Sequence, residues 1–235
     1  MAIVISTSTP RGFALSITVT DGHDRTNLNQ EISELLNSAE VSELHKGDEI
    51  QLWIENVEDS DDALIASTGF SPYRDLVQLR CSLPVQESRL TTRSFELGVD
   101  EEDFLRVNRR AFAWHPEQGD LDESSFAKLK TESWFDSNGF LLYELENRIA
   151  GFCWTKIHVD HSPPLGEIYA IAIDPDYHGR GLGMPMTEAG LNYLHSKGIE
   201  TGMLYVESDN AAALRTYEKI GFTHFLTNRA FRYCV

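Results

Sequence analysis

The residues of this chain whose types and spacing could do chemistry gather between positions 167 and 217. Within DPDYHGRGLGMPM, Gly179, Gly181 and Gly183 follow the strand-like run EIYAIAID and open a helix over 182–197. In that order, successive backbone N–H groups and a helix N-terminus converge on one spot, which is an anion site by geometry. A Cβ would hold a phosphate away from the backbone, which is the use of glycine there. Pro185 falls in the first helical turn, where its missing N–H removes no intrahelical bond. A glycine cluster after a strand also suits a tight turn that holds nothing, so the loop alone is a weak signal. Its spacing, G-x-G-x-G late in the chain, disfavours the dinucleotide fingerprint G-x-G-x-x-G. Upstream, Glu167 lies in a strand otherwise suited to burial, where a carboxylate is either functional or paired. Downstream, Asn210 and Tyr217 stand seven residues apart, two turns along one helix, though Tyr217 also suits a core aromatic. His115, His158 and His161 show no metal-ligand arrangement, and no metal is expected.

The elements that must position these groups occur twice. LWIENVEDSDDALIASTGF (52–70) aligns without a gap on LYVESDNAAALRTYEKIGF (204–222), an offset of 152 residues. The same offset sets ALSITVTDGHD against GEIYAIAIDPD, and the helical run 28–46 against 180–198. Each copy reads strand, helix, strand, helix, strand, which predicts an α/β fold with a mainly parallel or mixed sheet. Ile32, Leu35, Leu36, Ala39 and Leu44 keep a helical period over 28–46, with asparagines ahead and Gly47 behind. EIQLWIENV and GMLYVES read as strands, and Gly69 and Gly221 suit the left-handed residue beyond a helix end. The second copy has more in front of it: a strand in TRSFELG, and a helix in DEEDFLRVNRRAFA with Phe104, Val107 and Phe112 inward. A helix in DESSFAKLKTESWF follows, then a hairpin turning at Glu146-Asn147-Arg148. The expected domains are 1–83, a linker at 84–92, and 93–235.

Composition limits the partners. Of 235 residues, 41% are apolar and 10% aromatic, enough for one large core or two modest ones. A formal net charge of −17 argues against nucleic acid, whose affinity rests on Lys and Arg neutralising phosphates. A small neutral or cationic substrate fits better. Cys81, Cys153 and Cys234 form no C-x-x-C pair and read as reduced thiols. MAIVISTSTPRGF carries no basic leader, and no apolar stretch approaches the roughly 20 residues that span a bilayer. These features predict a cytoplasmic protein, here expected to be a monomer.

The run His178-Gly179-Arg180-Gly181-Leu182-Gly183 resembles the pyrophosphate loop Q/R-x-x-G-x-G/A of the GNAT acetyltransferases, with His178 in place of the usual Gln or Arg. SDNAAALRTYEKIGF resembles their next motif. With NRRAFAWHPEQG, WFDSNGFLLYE, GFCWTKIHVDH and LGEIYAIAIDPDYHGRGLG, residues 105–235 are similar to the mycothiol synthases, a family of tandem GNAT enzymes. The resemblance implies a GNAT fold, with one complete C-terminal domain preceded by a shortened, degenerate repeat. It implies acetyl-CoA as cosubstrate, and as acceptor the cysteinyl amine of a cysteine–glucosamine–inositol precursor. In that family's pattern, Ile171, Ala172 and Ile173 present backbone groups to the pantetheine arm. His178, Gly179, Arg180, Gly181, Leu182, Gly183 and Met184 cradle the pyrophosphate. Asn210, Ala211, Ala212, Ala213, Leu214 and Arg215 contact the cofactor from the next helix. Tyr217 donates a proton to the departing thiolate, and Glu167 takes the ammonium proton, directly or through water. Glu117, Lys156, Glu167 and Tyr205 fall at substrate-contacting positions, although Lys156 equally suits a solvated strand.

Carried through the repeat, Asn210 corresponds to Glu58, Tyr217 to Ile65 and Glu167 to Leu15. The three loop glycines correspond to Asn27, Asn29 and Glu31. The first copy therefore keeps the frame and lacks the chemical groups, which predicts a scaffold over 1–83. The resembling family has a longer first domain with its own glycine loop. Two other readings remain open at this stage: a GNAT enzyme for another small amine or a protein N-terminus, and a noncatalytic acetyl-CoA-binding module.

Overall fold

The computed structural model describes residues 3–6, 12–113 and 118–235. Two compact units emerge, and neither follows the order of the sequence. The first holds Met1–Gln78, Glu207–Asp209 and Phe225–Val235; the second holds Leu79–Val206 and Asn210–His224. The expected cuts at 84–92 miss this division, because a strand near the end of each repeat belongs partly to each unit.

In the first unit, β1 (Ile3–Ser6) and β2 (Leu15–Val19) are antiparallel, and β2 and β3 (Glu49–Ile54) are parallel. Strand β10 (Thr223–Cys234) lies antiparallel to β3, from Arg229↔Ile54 to Cys234↔Glu49. Alternation along β2 sends Leu15, Ile17 and Val19 into a core with Leu28, Ile32 and Ile65. The single helix expected over 28–46 is two: α1 (Leu28–Leu36) and α2 (Ala39–Ser42). Ser38 is extended between them, and the Asn37 side chain donates to the Ser33 carbonyl at 2.7 Å. Such local side-chain bonds offer the backbone an alternative to the helical ladder, and a pattern of apolar positions does not register them. Helix α3 (Asp59–Ala66) opens with a reciprocal capping box between Glu58 and Asp61.

Strand β4 (Ser71–Ser82) leads into the second unit, whose strands run β9-β8-β7-β6-β5. These are β5 (Arg93–Ser94), β6 (Phe140–Leu145), β7 (Arg148–His158), β8 (Leu165–Ile173) and β9 (Thr201–Glu207). The strand expected in TRSFELG shrinks to β5, prolonged by one bond from the Phe95 N–H to the Phe140 carbonyl. Helices α4 (Glu101–Ala111) and α5 (Glu123–Leu129) cover one face. Between helices and sheet lies an aromatic core in which Phe140 stacks on Trp154 at 4.8 Å and Phe104 meets Phe152 edge-on at 4.9 Å. Phe104 and Val107 are fully buried there, and Phe112 partly. Helices α6 (Gly183–Ser196) and α7 (Ala211–Ile220) complete the unit.

The repeat is visible in the elements themselves. Shifted by 152 residues, β3 begins where β9 does, α3 begins where α7 does, and β4 coincides with β10 end to end. Strand β2 departs from it by one residue. Ser16 pairs with Gln51, whereas Glu167 pairs with Met203, so the parallel register gives Ser16 as the counterpart of Glu167. Leu15, the expected counterpart, points to the opposite face, since a one-residue slip reverses every side chain.

Candidate active site

Strands β8 and β9 pair only over Gly166–Ile168 and Gly202–Leu204. Beyond that, Ile171, Ala172 and Ile173 border a cleft of about 570 Å³ whose other walls are the glycine loop and α7. The loop is built from its base upward. Asp174 is 1% exposed, and its carboxylate accepts from the Asp176 N–H at 3.0 Å, capping a 3-10 turn at Pro175–Tyr177. Arg106 at 3.4 Å and Arg110 at 3.3 Å reach the same carboxylate from α4. The His178 ring donates through Nε2 to the Ile173 carbonyl at 2.8 Å, tying the loop to the end of β8. Gly179 and Gly181 then adopt φ of +75° and +68°, a region that side chains with a Cβ avoid. A Cβ at Gly179 or Gly183 would meet no protein atom within 4 Å, so both border open space. The first bond of α6 runs from Met186 N–H to the Leu182 carbonyl, leaving the N–H groups of Gly183 and Met184 ahead of the intrahelical ladder.

Across the cleft, Asn210 caps α7, its side chain accepting from the Ala213 N–H at 3.1 Å. Asn210, Ala212, Ala213, Thr216 and Tyr217 line the wall. Ala211, Leu214 and Arg215 of the expected run 210–215 do not line it, since at 100° per residue a helix cannot turn six consecutive side chains to one side. Arg180 is also absent from the lining, its guanidinium lying 5.0 Å over the Tyr177 ring. Met184 faces a neighbouring cleft of about 420 Å³, shared with Arg89 and Lys219. Tyr217 is 8% exposed, and burial holds its phenol well above the ordinary tyrosine range, the nearby Cys153 adding to the effect. Cys153 is fully buried, and burial raises its thiol in turn. Tyr177, Thr187 and Thr216 also line the cleft and were missed in the sequence. Spacing held the signal for Thr216, three residues after Ala213 on the same helical face, and for Thr187, four after Gly183.

Glu167 lies lower on β8 and does not line this cleft. It is 8% exposed and accepts from His158 Nε2 at 2.7 Å. A bulge separates it from the cleft: β7 pairs Trp154 with Ala170 and Thr155 with Ile168, leaving Tyr169 as an extra residue. Both Tyr169 and Ala170 therefore pack into the aromatic core. Lys156, opposite Glu167 in the ladder, holds its ammonium 4.7 Å over Trp134 and 5.7 Å over Tyr169. These cation–π contacts replace the solvated strand position that the sequence left open. Burial raises the Tyr169 phenol, and the charges of Glu167 and Glu132 add to the effect. Tyr205 on β9 is 38% exposed and interacts with Arg80. Glu117 and His115 lie outside the described residues. His158, at the end of β7, comes together with Asp160 and His161 of the following turn, which their spacing did not announce.

The same positions in the first unit carry different groups. Glu31 stands where Gly183 does and bonds His23 Nε2 at 2.7 Å, while Arg25 pairs with the buried Asp61, which stands where Ala213 does. A carboxylate at the helix start repels a phosphate rather than holding one.

Residues 102–222 match the Acetyltransferase (GNAT) family. The chain is 48% identical over 162 residues to a mycothiol acetyltransferase of Acidimicrobium ferrooxidans, covering 66% of this chain and 52% of that protein. It is 41% identical over 184 residues to one of Streptomyces griseus, covering 75% and 59%. Among solved structures, a GCN5-related N-acetyltransferase from Sphaerobacter thermophilus superposes with a TM-score of 0.77 at 18% identity, over 94% of this chain and 72% of that one. The chain thus spans between half and two thirds of the length of the curated relatives it matches. The matched stretch takes in the left-handed glycine loop, the splayed strand pair and the capped helix that carries Tyr217, and on this basis the chain belongs to the GNAT acetyltransferase family.

Proposed function

We propose that this chain transfers acetyl from acetyl-CoA to the cysteinyl amine of the cysteine–glucosamine–inositol precursor, completing mycothiol. The observation that carries the reading is the cleft. Its glycine loop offers converging N–H groups with open space in front of Gly179 and Gly183, and its opposite wall offers a buried phenol. Those features suit a diphosphate at one end and a thioester at the other. The relatives named mycothiol acetyltransferase supply the acceptor.

In this reading the edge of β8 at Ile171–Ile173 orients the pantetheine arm, and an N–H there polarises the thioester carbonyl. Glu167 takes the proton of the incoming ammonium, directly or through water, freeing the nitrogen lone pair to attack the carbonyl carbon. His158 fixes the orientation of that carboxylate. As the carbon–sulfur bond breaks, Tyr217 gives its proton to the departing thiolate and recovers one from the second proton that the acylated nitrogen sheds; a phenol held protonated is in the state this role requires. Lys156, Tyr205 and Glu117 are the proposed contacts to the sugar and inositol. The test is a thiol-release assay with acetyl-CoA and the cysteinyl pseudodisaccharide, run beside small amines and peptides. Thiol release with the pseudodisaccharide alone supports the reading. Acetyl-CoA binding without release would leave a noncatalytic module, and faster release with peptides would move the acceptor to protein N-termini.

A further inference from the structure

We propose that His158, at the end of β7, and Asp160 and His161, in the turn before β8, form a binding site for a divalent transition-metal ion of the zinc type. One ligating atom from each lies within 4.8 Å of those of the other two, and the imidazole rings stand perpendicular with centroids 5.9 Å apart. A second observation is independent of this proximity. His158 Nε2 lies 2.7 Å from an oxygen of the buried Glu167 carboxylate, so Nε2 is engaged by that contact and Nδ1 is the ring nitrogen left to face a metal. A carboxylate behind a histidine is the arrangement that orients imidazole ligands in metal centres and raises their basicity. Two imidazoles with one carboxylate select zinc, copper or nickel over magnesium and calcium, which favour all-oxygen sets. Bonds of about 2.0–2.1 Å in a tetrahedral site put ligand atoms roughly 3.4 Å apart. Asp160 and His161 are exposed and can close that gap by rotamer change, while His158 is held. A water or a ligand atom takes the fourth position.

The site shares the His158–Glu167 pair with the proposed acetyl transfer, and it is therefore tested by metal binding rather than by activity. Zinc(II) is titrated into the whole chain in competition with a chromophoric chelator, with magnesium as control. The expected result is one ion per chain at low micromolar affinity, unaffected by millimolar magnesium. His161→Ala and Asp160→Asn are expected to weaken it at least tenfold, and Glu167→Gln, which keeps the ligands and alters only the group behind His158, about tenfold. Circular dichroism confirms that each variant is folded. Equal zinc affinity in wild type and His161→Ala, no binding in the wild type, or displacement by magnesium would each overturn the proposal.

Discussion

Tyr217 and Glu167 differ in how they are held, and their substitutions are expected to differ accordingly. Tyr217→Phe keeps the ring's packing against Phe222 and removes only the proton donor, so kcat is expected to fall by about a hundredfold with the KM for acetyl-CoA unchanged. Because the folded phenol sits above its ordinary value, it stays protonated as pH rises through the range in which an exposed tyrosine begins to ionise. Wild type and Tyr217→Phe should therefore show pH–rate profiles of the same shape between about pH 7 and 9, offset in height; a wild-type alkaline limb missing from the variant would contradict this. Gly181→Ala forces a Cβ into φ of +68°, and strain in the loop is expected to weaken acetyl-CoA binding about tenfold, measured by calorimetry. The residue types in this site were legible in the sequence, but the His158–Glu167 bond was not, because it joins neighbouring strands whose register a bulge displaces.

At the scale of elements, the sequence announced the helices and strands of the second unit, down to the cap at Asn210 and the turn at Glu146 and Asn147, both in left-handed conformation. It failed where local hydrogen bonding or a register shift overrides a periodic pattern. Ser38 breaks the helix expected over 28–46, β2 slips by one residue against the repeat, and the extra Tyr169 divides β8 into a lower part bearing Glu167 and an upper part bearing the cleft. Helix α6 approaches β7 closely at Gly190, where a Cβ would press into Cys153 Sγ and lie 2.8 Å from Ile168 Cδ1. Neither neighbour can withdraw, since both are buried. Gly190→Ala is expected to cost about 1–3 kcal/mol, read as a lowered Tm, and Cys153→Ala in the same chain should restore part of the loss; an unchanged Tm for Gly190→Ala would show that α6 shifts freely.

At the scale of the whole molecule, the repeat accounts for how the two units divide the chain. β4 and β10 occupy equivalent places in the two copies, and each passes from one compact unit to the other. A chain cut between 83 and 93, where composition suggested a linker, would leave β3 without the strand that pairs with it from Arg229 to Cys234. Residues 1–83 expressed alone are expected to be largely insoluble or unfolded by circular dichroism, and co-expression with 84–235 to recover soluble complex. A soluble, cooperatively melting 1–83 fragment would contradict this.

The pairing of β10 with β3 also sets an order in time. Synthesis runs from the N-terminus, and domains commonly fold as they emerge. Here the strand that pairs with β3 is made after the second unit has been translated, so β3 keeps that edge open on the ribosome until residues 225–235 have been added.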